Sequence, residues 1–275
     1  MTGRRVETFF KYHGLGNDFV VLDRRTSGVD IDSQTSRRLC DRHFGVGADG
    51  VLTILPEPGT DGRMVVHNAD GSIAEMCGNG LRCVVKYLGD HAPDRPSTLS
   101  IATGAGTLGC ELEWGTGGVT RVTVAMGPAR LESAILPHGG PFVARPIDGH
   151  VGTAVSMGNP HLVLLDTPQA LAATLGPVLE HHPWFVERTN VEFVTPLEGG
   201  GLDVVVWERG VGLTLACGTG ACAALVASAL AGRSRFDTWT PVKLPGGLLE
   251  LKAAANRSQV WLKGPVDFVF SGQVT

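Results

Sequence analysis

Two of the six cysteines in this 275-residue sequence stand in the same setting. Cys77 opens the turn Cys-Gly-Asn-Gly and Cys217 opens Cys-Gly-Thr-Gly. An apolar run follows each, LRCVVKYL in the first case and ACAALVASAL in the second. A glycine-rich turn feeding such a segment reads as the start of a buried helix. A helix start offers unpaired N–H groups and the positive end of the macrodipole. That setting favours a thiolate, bringing a cysteine pKa from ~8.5 into the range of roughly 3.5–7.5. The same N–H groups make an anion site suited to a carboxylate, and glycines let a ligand approach the backbone closely. A sulfur base beside a carboxylate site is equipment for moving a proton at the adjoining carbon.

The two turns belong to a longer repeat. HNADGSIAEMCGNG from His67 aligns without gaps on WERGVGLTLACGTG from Trp207, pairing Cys77 with Cys217 and Asn68 with Glu208 at an offset of 140 residues. At that offset GADGVLTILP from Gly47 falls on ERTNVEFVTP from Glu187. LGNDFVVLD from Leu15 resembles MGNPHLVLLD from Met157, pairing Asn17 with Asn159 at an offset of 142. Three landmarks in order argue for duplication of a unit of about 130 residues, an ordinary domain size. Two like halves packed face to face would point two helix ends into one cleft. One thiolate could then take a proton from one face of a carbon while the opposite thiol donates from the other. The two sulfurs would titrate as a coupled pair. Helix-end N–H groups would stabilise the carbanion-like intermediate, so no pyridoxal electron sink is needed.

Other chemistries fit less well. Cys40, Cys83, Cys110 and Cys222 read as small buried hydrophobes. A zinc site from Cys77/Cys83 and Cys217/Cys222 lacks the usual ligand spacing in at least the first pair, so no metal and no cofactor are expected. A Cys77–Cys217 disulfide could form on oxidation and would abolish proton transfer. GVGADG from Gly45 and GAGTLG from Gly104 match the dinucleotide fingerprint by letter, but a strand-like run follows each where a helix is required. The net charge of −4 gives no footprint for nucleic acid. No polybasic run, signal-type apolar region or stretch of ~20 apolar residues points to a membrane. A cytoplasmic protein is the expectation.

The elements that must position these turns read as two similar α+β halves. In the first, FFKYH and DFVVLD are strand-like, and a helix runs from near Ser33 to about His43. VLTIL and RMVVHN follow as strands, then a helix from just after Cys77 to about Leu88. LSIAT, TLGCELEW and VTRVTVAM read as hairpin strands. In the second half GTAVSM, HLVLLD, NVEFVTP and LDVVVWE are strands, a helix opens after Cys217, and DTWTPVKL, LLELKAA and QVWLKG close the chain. MGPARLESAILPHGG is the crossing segment.

HGLGNDFVVLD, RHFGVGADGVL, NADGS…MCGNGLRC, GNPHLV, TNVEFV and WERGVGLTLACGTGACAA together resemble diaminopimelate epimerases over nearly the whole chain. The resemblance implies an α+β fold of two pseudo-symmetric homologous domains, each a mixed or antiparallel sheet around a central helix, with the active site in the cleft between them. The domains are expected at 1–127 and 128–263, with a closing strand at 264–275 packing back onto the first. The implied activity is cofactor-independent interconversion of LL- and meso-2,6-diaminopimelate, toward lysine and peptidoglycan. The family's catalytic cysteines fall on Cys77 and Cys217. Its ligand-contacting residues fall on Asn17, Asn68, Asn159, Asn190, Glu208 and Arg209, its helix-end donors on Gly78, Asn79, Gly218 and Thr219, and its catalysis-supporting residues on His161 and Glu208. An arginine fork suits the distal carboxylate, and amide oxygens suit the distal ammonium. Homodimers are the family habit, and Phe270 matches an aromatic that helps form that contact. Two positions depart from the pattern: Gly50, where some members have glutamine, and Leu213, where many have glutamate.

Two other classes compete. Proline racemase and hydroxyproline epimerase relatives typically carry histidine where this chain has Asn79, and a racemase of other specificity would differ in the distal contacts. A non-catalytic amino-acid-binding protein would bind without exchanging the α-proton.

Overall fold

The computed structural model describes residues 6–137 and 139–275. Residues 1–5 of the charged N-terminus and His138 of the crossing segment lie outside it. Contacts divide the chain into two units, Met1–Val124 with Gly264–Thr275, and Ala125–Lys263.

The first unit opens with an antiparallel hairpin, β1 (Glu7–Gly14) and β2 (Asn17–Asp23). A crossover through α1 (Ser33–Cys40) returns the chain to β3 (Gly50–Leu55), which pairs parallel with β2, Phe19 opposite Gly50. Parallel neighbours require such a long connection. β4 (Gly62–Asn68) pairs antiparallel with β3, and the short β5 (Ile73–Ala74) folds back on β4. Next comes α2 (Gly78–His91), followed by β6 (Thr98–Thr103), β7 (Gly106–Gly115) and β8 (Gly118–Gly127). β6 runs parallel to β4, and β6, β7 and β8 form an antiparallel meander.

The second unit repeats this plan. β9 (Arg145–Ile147) borders β10 (His150–Ser156), and β10 pairs antiparallel with β11 (Pro160–Leu165). A 3₁₀ turn at Gln169–Leu171 and α3 (Ala172–Glu180) supply the crossover to β12 (Asn190–Pro196), parallel to β11 with His161 opposite Asn190. β13 (Leu202–Glu208), β14 (Gly212–Leu213), α4 (Gly218–Leu230), β15 (Thr240–Leu244), β16 (Gly247–Ala253) and β17 (Val260–Pro265) follow in the order of their counterparts. Even register is kept: Val51 faces His67 across β3 and β4, and Val191 faces Trp207 across β12 and β13. The last strand, β18 (Asp267–Val274), pairs antiparallel with β1.

Each unit closes its sheet around one helix. α2 packs against β1, β2, β3, β4, β6 and β7, and α4 against β10, β11, β12, β13, β15 and β16. A helix contacted on all sides must be apolar on all sides or pair the polar groups it buries, as α2 does with Arg82 and Lys86. α4 accordingly buries Ala221 through Ser228 without a break, and α2 buries every residue from Gly78 to Gly89. Satellite clusters sit under the crossovers, Phe9, Val20, Leu22, Leu39 and Val51 in the first unit and Phe142, Leu162, Leu164, Leu179 and Phe193 in the second.

Three differences from the sequence reading have local causes. α1 stops at Cys40, before His43, because the Asp41 carboxylate accepts the N–H groups of His43 and Phe44 at 2.8 Å each and turns the chain. α2 runs one turn past Leu88 to His91, where Pro93 lies just beyond. α3 was not anticipated. It is nine residues long with Pro177 inside it, and Gly176 adjoins the proline because a Cβ there would meet the Trp207 ring at 2.6 Å.

Leu225 is fully buried in the middle of α4. Leu225→Ala is expected to cost about 2–5 kcal/mol through the cavity it leaves. Urea unfolding should show a lower midpoint with an unchanged slope.

Candidate active site

In both units the cysteine is the N-cap of the central helix. Cys77 has φ −140° and ψ 114°, Cys217 has φ −117° and ψ 111°, and each is extended backbone turning into helix. The sulfur takes the role a serine or aspartate oxygen usually plays: Gly80 N–H points at Cys77 Sγ and Gly220 N–H at Cys217 Sγ, both at 3.4 Å. All six cysteines are free thiols.

Around Cys77 the first unit assembles two of the asparagines. Asn17 Oδ1 lies 3.8 Å from Cys77 Sγ and accepts from Asn79 Nδ2 at 3.2 Å. The orientation of the Asn17 amide is set from behind, because its Nδ2 donates to Asp49 at 2.8 Å. Asp49 in turn pairs with Arg42, which also holds Asp18 at 2.7 Å. Burial pushes the Asp18 carboxyl up, but hydrogen bonds from Arg42 and Lys11 outweigh it and bring it to about 2. Asn79 is fixed by Arg82, whose fully buried guanidinium donates to Asn79 Oδ1 at 2.9 Å, to the Gly78 carbonyl and to the Pro265 carbonyl. Gly14 makes room for that guanidinium, since a Cβ there would stand 2.8 Å from Arg82 Nη2. The turn entering β2 needs Gly16 at φ 83°, a conformation L side chains rarely adopt. Asn68 bonds within its own turn, its Nδ2 donating to Ser72 at 2.9 Å.

The second unit assembles a parallel set. Asn159 follows Gly158 at φ 100° and donates from Nδ2 to Thr219 Oγ1 at 3.3 Å, which lies 3.6 Å from Cys217 Sγ. His161 contacts Asn159 Oδ1 through Nε2 at 3.0 Å and Glu192 through Nδ1 at 2.7 Å. A second cluster forms at the end of β13. Asn190 donates to the Pro160 carbonyl at 2.8 Å and accepts the Arg209 N–H at 3.0 Å. Glu208 accepts from Thr214 at 2.5 Å, and Arg209 reaches the Glu187 carbonyl at 2.9 Å. Glu180 anchors this turn from α3, accepting Trp207 Nε1 at 2.7 Å and Gly210 N–H at 2.9 Å.

The sulfur of Cys217 differs from the helix-end expectation of a depressed pKa. Burial pushes its thiol well up, and the carboxylates of Glu208 and Glu192 push the same way. The Thr219 hydroxyl and the Gly220 N–H oppose them without prevailing.

Asp49, Arg82, Glu180, Glu192 and Thr214 were not singled out from the sequence. Asp49 and Arg82 lie inside the quoted motifs, and only the fold reveals that they brace Asn17 and Asn79. Of the two departures, Leu213 is 51% exposed on β14. At Gly50 a Cβ would stand 2.7 Å from the His67 carbonyl and 3.2 Å from the Phe19 ring, so this backbone has no room for a side chain. Among the described residues, no group of three or more His, Cys, Asp or Glu side chains is placed to hold a metal ion, and no helix is long and apolar enough to cross a membrane.

The fold defines a class. A hydroxyproline epimerase from Agrobacterium vitis has a TM-score of 0.73 at 16% identity, covering 100% of this chain and 92% of that one. A phenazine biosynthesis protein of the PhzF family from Bacillus anthracis has 0.74 at 14%, covering 98% and 99%. The architecture is that of the sheet-wrapped, two-unit α+β epimerases, racemases and PhzF proteins. Sequence then narrows the class. The diaminopimelate epimerase family model matches residues 9–132 and 153–269. Diaminopimelate epimerases from Synechocystis sp. and Moorella thermoacetica are 45% and 44% identical, covering 97% and 96% of this chain and 98% of each relative. The chain belongs to the diaminopimelate epimerase family.

A carboxylate beside a thiol disfavours the thiolate. Glu208→Gln is therefore expected to lower the Cys217 pKa and speed its alkylation by iodoacetamide at pH 8 by about three- to tenfold, more than that of Cys77. Mass spectrometry of the two peptides reads the rates; an unchanged or slower Cys217 contradicts the assignment.

Proposed function

We propose that this protein interconverts LL- and meso-2,6-diaminopimelate by moving the α-proton between Cys77 and Cys217, without a cofactor, toward lysine and peptidoglycan precursors. The observation that carries the reading is the duplicated sulfur cap, a free thiol at the mouth of a buried helix in each half of a chain from this family. One sulfur removes the proton as a thiolate, and the other delivers one to the opposite face as a thiol. Cys217, whose thiol burial and the nearby Glu208 and Glu192 push up, is suited to the donor role at the start of one direction, which makes it the base in the reverse one. The pair shares one proton, so its titration belongs to both sulfurs.

Charge builds on the substrate carboxylate as the proton leaves. The first N–H groups of a helix have no partners within it, so those of Gly78, Asn79, Gly218 and Thr219 suit that carboxylate. Asn17 and Asn159 flank the two turns and orient the near amino acid. At the distal stereocentre the Arg209 guanidinium suits the carboxylate, and Asn68, Asn190 and Glu208 suit the ammonium. Fixing the far end orients the near one for inversion. His161 supports proton transfer at the reacting centre.

The working form in this reading is a cytoplasmic homodimer. β18 exposes Phe268, Val269 and Phe270, and a groove of about 550 Å³ beside it is lined by Phe9, Arg38, Phe44, Val46, Phe270 and Val274. Phe44 is 93% exposed there, an arrangement that suits burial against a second copy.

Under reducing conditions the wild type should convert LL-diaminopimelate and incorporate solvent deuterium at the α-carbon. Cys77→Ala and Cys217→Ala should each fold and lose turnover by at least about a thousandfold, as expected when one member of an acid–base pair is removed. Wild-type turnover in either variant would refute the two-sulfur mechanism. Binding without deuterium exchange would instead indicate a receptor, and exchange only into proline or histidine another racemase. Phe270→Arg should shift the sedimentation coefficient from dimer to monomer, whereas a variant still dimeric would place the contact elsewhere.

A further inference from the structure

The topology repeats, but the residues behind the two sulfurs do not. In the first unit the position beneath Gly80 is Leu52, whose Cδ2 would lie 2.9 Å from a Cβ at that glycine. Phe19 lies on β2 two residues before Val21, the partner of Leu52 across the parallel pair of strands. At the repeat offsets these positions become Glu192 and His161 in the second unit. Glu192 Oε1 lies 2.8 Å from where a Cβ of Gly220 would stand. An apolar pair has become an acid and an imidazole, both fully buried and joined at 2.7 Å. The other Glu192 oxygen is buried without a hydrogen-bond partner. A buried acid with one oxygen unpaired is destabilising where a leucine would fit, so packing alone does not account for Glu192.

The proton inventory gives this pair a direction. His161 Nε2 faces the Asn159 carbonyl oxygen at 3.0 Å and therefore carries a hydrogen. His161 Nδ1 faces Glu192 Oε1 at 2.7 Å, and burial pushes the Glu192 carboxyl up, toward the protonated form that donates to Nδ1, against the pull of His161. With Oδ1 held by His161, Asn159 presents Nδ2 to Thr219 Oγ1. Thr219, accepting there, has its own hydrogen free for Cys217 Sγ. We propose that Glu192 is a positioning residue for proton transfer at Cys217, acting through His161 and Asn159 to aim the Thr219 hydroxyl at the sulfur. When Cys217 gives up its proton, the thiolate then meets the Thr219 O–H and the Gly220 N–H. Leu52 provides no such chain behind Cys77. The proposal rests on the preceding reading, in which Cys217 exchanges a proton.

Two replacements separate the hydrogen bond from the charge. Glu192→Gln and Glu192→Leu both remove the carboxylate that faces Cys217 along with Glu208, but glutamine still donates an amide proton to His161 Nδ1. Iodoacetamide should therefore alkylate Cys217 about tenfold more slowly in E192L than in E192Q, the effect of one lost hydrogen bond to a charged sulfur. Cys77 should react alike in both. Turnover should split the same way, with kcat in E192L about tenfold below that of E192Q and KM within about threefold. Adding Thr219→Val should erase the E192L–E192Q difference, because both changes break one chain. Equal alkylation in the two variants, or a difference that survives T219V, overturns the proposal. Alkylation needs no substrate. A wild type inactive on diaminopimelate would refute the proposed function and leave this comparison to decide the role of Glu192.

Discussion

Each unit depends on a sulfur atom capping a helix that the sheet encloses. A helix start inside a protein must find partners for its first N–H groups. Here one of those partners is the cysteine itself, through Gly80 in one unit and Gly220 in the other. The cap requires an extended cysteine, a glycine immediately after it, and a helix that can be buried on every side. Those demands explain the Cys-Gly-x-Gly sequence and the uninterrupted burial of α2 and α4. They also fix the sulfur to within the tolerance of a hydrogen bond, because moving it would unsatisfy a buried donor.

The parallel pairs β2–β3 and β11–β12 bring the remaining groups to these caps. Their crossovers, α1 and α3, let strands distant in sequence lie side by side, so that His161 meets Asn190 and Glu192 meets His161. Bracing then comes from behind the asparagines: Asp49 and Arg82 in the first unit, His161 in the second. Each amide is held by a neighbour at one end, which leaves the direction of the other end determined. One plan thus serves two different electrostatic settings, an Arg–Asp–Lys network near Asn17 that opens to solvent at Arg42 and a fully buried acid–imidazole pair near Asn159.

The α+β class, the duplication and the helices that begin after Cys77 and Cys217 were legible in the sequence, because a repeat at an offset near 140 is independent of any single propensity. The helix α3 was not, since AATLGPVLE carries a glycine and a proline in nine residues and is held by packing on β12 and β13. Among polar residues, the cysteines and asparagines stood out because turn motifs are local. Glu192 did not, since nothing in NVEFVTP marks one acid on a buried strand as different from one facing water; that distinction arises only when His161 is laid beside it. The high pKa of Cys217 was hidden for the same reason. The helix start is visible in the sequence, whereas the carboxylates of β12 and β13 reach the sulfur only through sheet pairing.

The strand that completes the first unit, β18, comes after the whole second unit in the chain, and it covers β1 along Glu7–His13 while Thr275 receives the Arg38 side chain. During synthesis the leading half therefore emerges with an uncovered sheet edge, the kind of surface that recruits stray strands. It waits for the ribosome to deliver the tail before that edge is sealed. The trailing half can mature first, reversing the usual order in which a nascent chain's domains fold.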